Sequence, residues 1–137
     1  ISSVIAIGYV INKCEIEPRV EDTIQPISQS CLELSELFSM NSKLTDIQKP
    51  EIWKQQYYYR RFQWDLIVQN VSKNKDGYLV IAKCPKSNAL LSDIQIQVSW
   101  VAKNFAKSLE KGGTYSFSGA LLSYNFAGIQ AISFEKD

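Results

Sequence analysis

Histidine is missing altogether from the 137 residues. Its absence removes the commonest general base, the commonest transition-metal ligand and the usual pH switch. Cysteine is scarce. Cys14, Cys31 and Cys84 are too few and too scattered for a zinc site, and no C-x-x-C occurs. Cys14 and Cys31 would pair if the protein is exported; buried or inert free thiols are the favoured reading. There is no glycine-rich phosphate loop and no Ser-x-x-Lys in a useful context, and no triad can be built without histidine. Gly112-Gly113 reads as a helix stop. The acid pairs Glu15/Glu17 and Glu21/Asp22 read as solvated linker charges. The expectation is no catalytic residue, no metal ligand and no cofactor, hence not an enzyme.

An excess of charge is missing too. The net charge is +1, which predicts no strong general attraction to nucleic acid or to an anionic membrane. The balance is uneven along the chain. Residues 1–50 carry four Lys/Arg against seven Asp/Glu, and residues 51–137 carry eleven against seven. No apolar run reaches the roughly twenty residues that span a bilayer. The longest, Ile1–Ile11, has three readings: the tail of a transmembrane or signal segment, a buried β-strand, or a docking segment for a partner. No repeat or low-complexity segment is present.

What is there is one domain's worth of chain with an appendage. At this length about 65–70% of the unfolded surface can be buried without staples. Residues 1–25 read as an apolar start and extended arm, 26–57 as a short helical segment, and 58–137 as a barrel. Ile27, Cys31, Leu34 and Phe38 recur at helical spacing, with Leu37 beside them, so the pattern predicts an amphipathic helix over 26–40, opened by Pro26. Thr45 and Gln48 form a capping box, and a second short helix starts there or near Pro50.

Period-two alternation then takes over. Strand one is expected at 59–71, with Phe62, Trp64, Leu66 and Val68 on one face. Ser72–Gly77 is a hairpin loop in which Asp76-Gly77 supplies the positive φ. Strand two follows at 78–84 and strand three at Ile94–Trp100, with Ile94, Ile96, Val98 and Trp100 inward and Gln95, Gln97 and Ser99 outward. Val101, Phe105 and Leu109 make the stripe of one helix over 101–111. Strands four (114–122) and five (128–134) flank a turn at Ser123–Ala127. Five strands with a single helix between the third and fourth is the order of an OB-fold, a Greek-key barrel in the β-rich (α+β) class.

Three fragments make the chain resemble the bacterial OB-fold family of the tRNA-anti-like (anticodon-binding-like) type. They are Leu44–Trp53 with Phe62-Gln63-Trp64, the helix exit Leu109–Gly119, and the closing strand after Tyr124–Gly128, and the stretch they cover is about 90 residues. Asp65 and Leu66 depart from it, standing where a small residue commonly lets the first strand bend. Members are often tethered behind a membrane segment, and the family name does not imply tRNA binding. The resemblance implies a membrane-tethered or extracytoplasmic protein, the tether preceding or including Ile1–Ile11.

A binding scaffold does not name its ligand. The first reading is a protein-binding module or homo-oligomer, a subunit of a larger envelope-associated assembly. Its contacts would come from Leu34, Leu37 and Phe38 of helix 26–40 and from Tyr124 and Phe126. That helix docks into another subunit or folds back on its own barrel. The alternative is a single-stranded nucleic-acid binder using Arg60, Arg61, Lys73, Lys75, Tyr78 and Lys83. The uncharged outward face of strand three argues against it. Phe62 and Trp64 read as core, and Tyr57–Tyr59 as a seal between helix and barrel.

Overall fold

Alternation becomes a sheet in the computed structural model, which describes residues 25–89 and 92–137. The apolar start, the arm and Cys14 lie outside the described residues. Strand β1 (Arg61–Asn74) buries Phe62, Trp64, Leu66 and Val68 in strict alternation. Next come β2 (Gly77–Lys83), β3 (Ile94–Ser99), α3 (Lys103–Ser108), β4 (Thr114–Asn125) and β5 (Gly128–Ser133), preceded by α1 (Cys31–Leu37) and α2 (Gln48–Ile52). The strands close into a barrel in the order β1-β2-β3-β5-β4, with β3 and β5 parallel and the other pairs antiparallel. This is the OB-fold expected from the sequence.

β1 serves two neighbours, so it must bend. Arg61–Ile67 pair with β4, and Ile67–Asn74 pair with β2. The bend falls at a bulge between Val68 and Asn70, so no small residue is needed at Asp65 or Leu66. Val68 is fastened there by the glycine pair: Gly112 N–H donates to Val68 O at 2.8 Å, and Val68 N–H donates to Gly113 O at 2.9 Å.

Four element boundaries depart from expectation, each for a local reason. The helix predicted from Pro26 begins at Ser30, because Ser30 and Glu33 form a capping box inside it. Pro26 and Ile27 stay extended instead, with Ile27 N–H donating to Arg61 O at 2.9 Å. The β1–β2 turn is tighter than predicted, Lys75–Asp76 only, with Gly77 at φ +137°. The β4–β5 turn is likewise only Phe126–Ala127, with the Asn125 side chain accepting the Ala127 N–H at 2.8 Å.

The fourth departure is at Trp100 and Val101, expected inward and found exposed. Ser99 ends β3, and its Oγ accepts the Val101 N–H, starting a 3-10 turn over Trp100–Ala102. Strand alternation stops one residue before Trp100. The buried side of the helical turn is Ala102, Ala106 and Leu109, with Phe105 half-buried.

The predicted Thr45–Gln48 capping box forms, both bonds being present at 3.0 and 3.1 Å. Pro50 fits because first-turn N–H groups have no intrahelical partner. α2 continues as a π-turn over Trp53–Tyr57, closed by Tyr58 N–H to Trp53 O at 2.8 Å. That wider turn carries both Trp53 and Tyr57 into the core.

The cysteine reading is corrected. Cys31 joins Cys84 in a disulfide, Cα–Cα 5.4 Å, with both residues buried. Helical spacing along α1 turns Cys31 toward the barrel beside Leu34, where the end of β2 presents Cys84.

Candidate functional site

The helical segment and the β4–β5 hairpin meet around a cluster of four rings. Phe38 stands edge-on to Trp53 (centroids 5.0 Å apart) and to Tyr57 (5.6 Å), and lies 4.8 Å from Tyr124. Tyr124 lies 5.2 Å from Trp53, whose Nε1–H donates to Leu122 O at 3.1 Å. Offset and edge-on ring pairs of this kind contribute beyond the area they bury. Three of the rings are buried and Tyr124 is half-buried, so the cluster shows one face to the outside.

Above that face is a cleft of about 810 Å³, whose floor is Phe38, Tyr124 and Ile129. Its rim carries Met40, 85% exposed, and Phe126 at the hairpin tip, 90% exposed. Apolar side chains standing this far into water around an apolar hollow are the usual mark of a contact surface.

The walls are fixed by buried polar groups. Asp93, buried, accepts the Cys84 N–H at 2.9 Å and the Ser35 hydroxyl at 3.5 Å, linking α1, the end of β2 and the start of β3. Its carbonyl accepts the Ile129 N–H at 2.9 Å. Gly128 makes that approach feasible: its φ is +117°, and a Cβ there would lie 2.4 Å from Asp93 O. On the other side Lys49 is buried, with Nζ donating to Ser39 O at 2.8 Å and lying 4.0 Å from Asp46. Burial, and secondarily the charge of Asp46, raise the Tyr124 phenol above its ordinary pKa. Tyr124 therefore stays protonated and neutral in the cleft at physiological pH.

The residues nominated from sequence fall into separate places. Leu34 is fully buried and Phe38 buried, both in this chain's own core, with Leu37 half-buried against it. α1 therefore folds back on its own barrel, the second of the two readings above; Leu34 is corrected from a surface contact to core, while Phe38, buried in the ring cluster, reaches the outside only as part of the cleft floor. Tyr124 and Phe126 do come together at the cleft. Met40 and Asp93 were missed. Met40 sits just past the helical pattern, and nothing in the sequence marks Asp93 as buried.

The nucleic-acid set does not assemble. Arg60 and Arg61 stand at the start of β1, Lys73 and Lys75 at its far end, and Lys83 at the opposite end of β2 from Tyr78. Tyr78 is buried, with Trp100 packed against it at 5.2 Å. The Arg61 guanidinium lies 4.9 Å over the Phe134 ring. On the outward face of β3, Gln97 exchanges amide hydrogen bonds with Asn74 at 2.9 and 3.1 Å.

Among the described residues no cluster of His, Cys, Asp or Glu could hold a metal ion, and no helix is long and apolar enough to cross a membrane. Compared with known proteins, the chain matches no family model and no curated relative.

Proposed function

We propose that this chain is a non-enzymatic OB-fold interaction module, and that it seats an apolar segment of a protein partner in the cleft between α1 and the β4–β5 hairpin. The observation that carries the reading is Phe126, 90% exposed at the rim of a preformed aromatic floor. Exposed aromatic anchors beside a largely apolar pocket are the usual energetic centre of a protein contact. The Cys31–Cys84 disulfide supports a place outside the cytoplasm, since such bonds persist in oxidising compartments. It suits a subunit of an envelope-associated assembly, and the likeness to tRNA-anti-like barrels supports the same placement.

The test is a random peptide library displayed on phage and panned against the folded, oxidised protein. Enriched peptides should be apolar, and Phe126→Ser should weaken them at least tenfold, about 1.4 kcal/mol. Peptides that bind Phe126→Ser and Met40→Ser as well as the parent would remove the cleft from the reading. The single-strand alternative rests on the exposed Tyr58 and Tyr59 beside Arg60 and Arg61. Anisotropy of a labelled oligonucleotide at low and moderate salt decides it, since phosphate contacts weaken steeply with salt.

A further inference from the structure

The end of the barrel opposite the cleft carries a second exposed surface of different chemistry. Where β3 gives way to the 3-10 turn, Trp100 lies across the β1–β2 hairpin. Its ring meets Tyr78 edge-on, and its Nε1–H donates to Lys75 O at 3.3 Å. The indole is thus held with its polar edge toward backbone, yet remains 46% exposed. Val101 beside it is 63% exposed.

Lysines surround this pair. Lys73 is the cross-strand partner of Tyr78, and Lys75 is in the turn that Trp100 touches. Lys103 and Lys107 lie one turn apart on α3, which directly follows the 3-10 turn that carries Trp100. All four lysines are exposed. The acids nearby are Asp76 and Asp137, and the Asp137 carboxylate accepts the N–H groups of Asn104 and Phe105, at 2.8 and 2.9 Å. A chain of net charge +1 therefore presents a locally basic end.

We propose that this end docks on an anionic membrane surface. Trp100 and Val101 would enter the boundary between headgroups and acyl chains, and the lysines would meet the lipid phosphates. A nucleic-acid strand would be drawn by the same lysines, but strand binders offer a groove and a row of stacking rings. Here one exposed ring is presented, the neighbouring outward strand residues are Gln95 and Gln97, and Val101 gives a base nothing to stack on. The cleft described above lies elsewhere. This inference does not depend on the cleft reading, and Phe126→Ser should leave it unchanged.

The tryptophans supply the test. Trp53 and Trp64 are buried, so quenching by brominated lipid reads Trp100. The protein is mixed with phosphatidylcholine vesicles with and without phosphatidylserine, and co-sedimentation is measured in parallel. Binding and quenching should occur only with phosphatidylserine and disappear at high salt. Lys73→Glu with Lys75→Glu should weaken partition by about tenfold or more. Trp100→Ala removes packing on Tyr78, so Val101→Ser, at an exposed side chain, is the companion variant; it should lower partition severalfold with the fold intact. No sedimentation at low salt, sedimentation without Trp100 quenching, or tighter binding of a labelled single strand than of the vesicles overturns the proposal.

Discussion

The barrel and its helical cap are held by different kinds of force. The barrel is a continuous ladder with an alternating apolar face, so each strand is fastened to two neighbours at many points. The cap, residues 26–57, is fastened at separate points: one disulfide, one ring cluster, the Asp93 carboxylate, the Ile27 N–H on Arg61 O and the Trp64 indole N–H on Gln29 O. A structure held at few points fails locally, and the cleft lies where cap and barrel meet. The two regions can be separated experimentally by removing those points one at a time.

The largest effect should come from the disulfide. It closes a separation of 53 residues, for which chain entropy alone gives about 4 kcal/mol. Cys31→Ser with Cys84→Ser should lower the stability measured by denaturant unfolding by that order. Hydrogen exchange should then rise across residues 31–57 before it rises in β1–β5. Equal acceleration in both regions would show that cap and barrel are one cooperative unit.

Gly128→Ala should follow, at roughly 3 kcal/mol, because the added Cβ meets Asp93 O while the backbone sits at φ +117°. This change strikes the barrel side of the cleft. Thermal unfolding should fall and peptide binding should weaken with it. Loss of binding with an unchanged melting temperature would mean that the hairpin has moved without strain.

Helix caps give a matched pair at about 1 kcal/mol each. Ser30→Ala removes the α1 capping box, and Asp137→Ala removes the carboxylate that holds the start of α3. If the cap is the weaker region, Ser30→Ala should speed exchange locally in α1. Asp137→Ala should instead appear as a small shift of global unfolding, α3 being packed onto the barrel through Ala106 and the Phe105–Phe117 ring contact.

The same division explains what could be read from the sequence. Alternation in Phe62–Val68 and Ile94–Val98 reports a local rule, side chains pointing to opposite faces, and it predicted barrel and core together. Trp100 failed because a serine cap ended that rule one residue early. The cleft was half legible: Tyr124 and Phe126 stood in a turn where such folds bind ligands. Leu34 and Phe38 were legible as an apolar stripe, but what covers a stripe is decided by residues far along the chain. Cys31 and Cys84 meet only once the fold exists, so the sequence reading favoured free thiols and offered Cys31 only Cys14 as a partner, for an exported protein. Asp93 is buried for the same long-range reason.

The smallest effect is on pH dependence, and it tests the ring cluster from the barrel side. Tyr124 and Tyr57 both have raised pKa values, in each case chiefly through burial; Asp46 adds to the first, while Arg60 and the Gln29 hydrogen bond oppose the second. A phenol whose pKa is raised in the folded state is harder to ionise there than in the unfolded chain. The two states bind protons equally well below about pH 10, the ordinary tyrosine value, so these phenols leave stability untouched there. Above it the unfolded chain loses its proton first, and stability falls as pH rises through the folded value. Lysines titrate in the same range, so the informative quantity is a difference between variants. Denaturant midpoints at mildly and strongly alkaline pH should converge less for the parent than for Tyr124→Phe, whose alkaline loss should be smaller. An identical alkaline slope in both would place the Tyr124 hydroxyl in water in solution and open the cleft floor wider than its 4.8 Å contact with Phe38 implies.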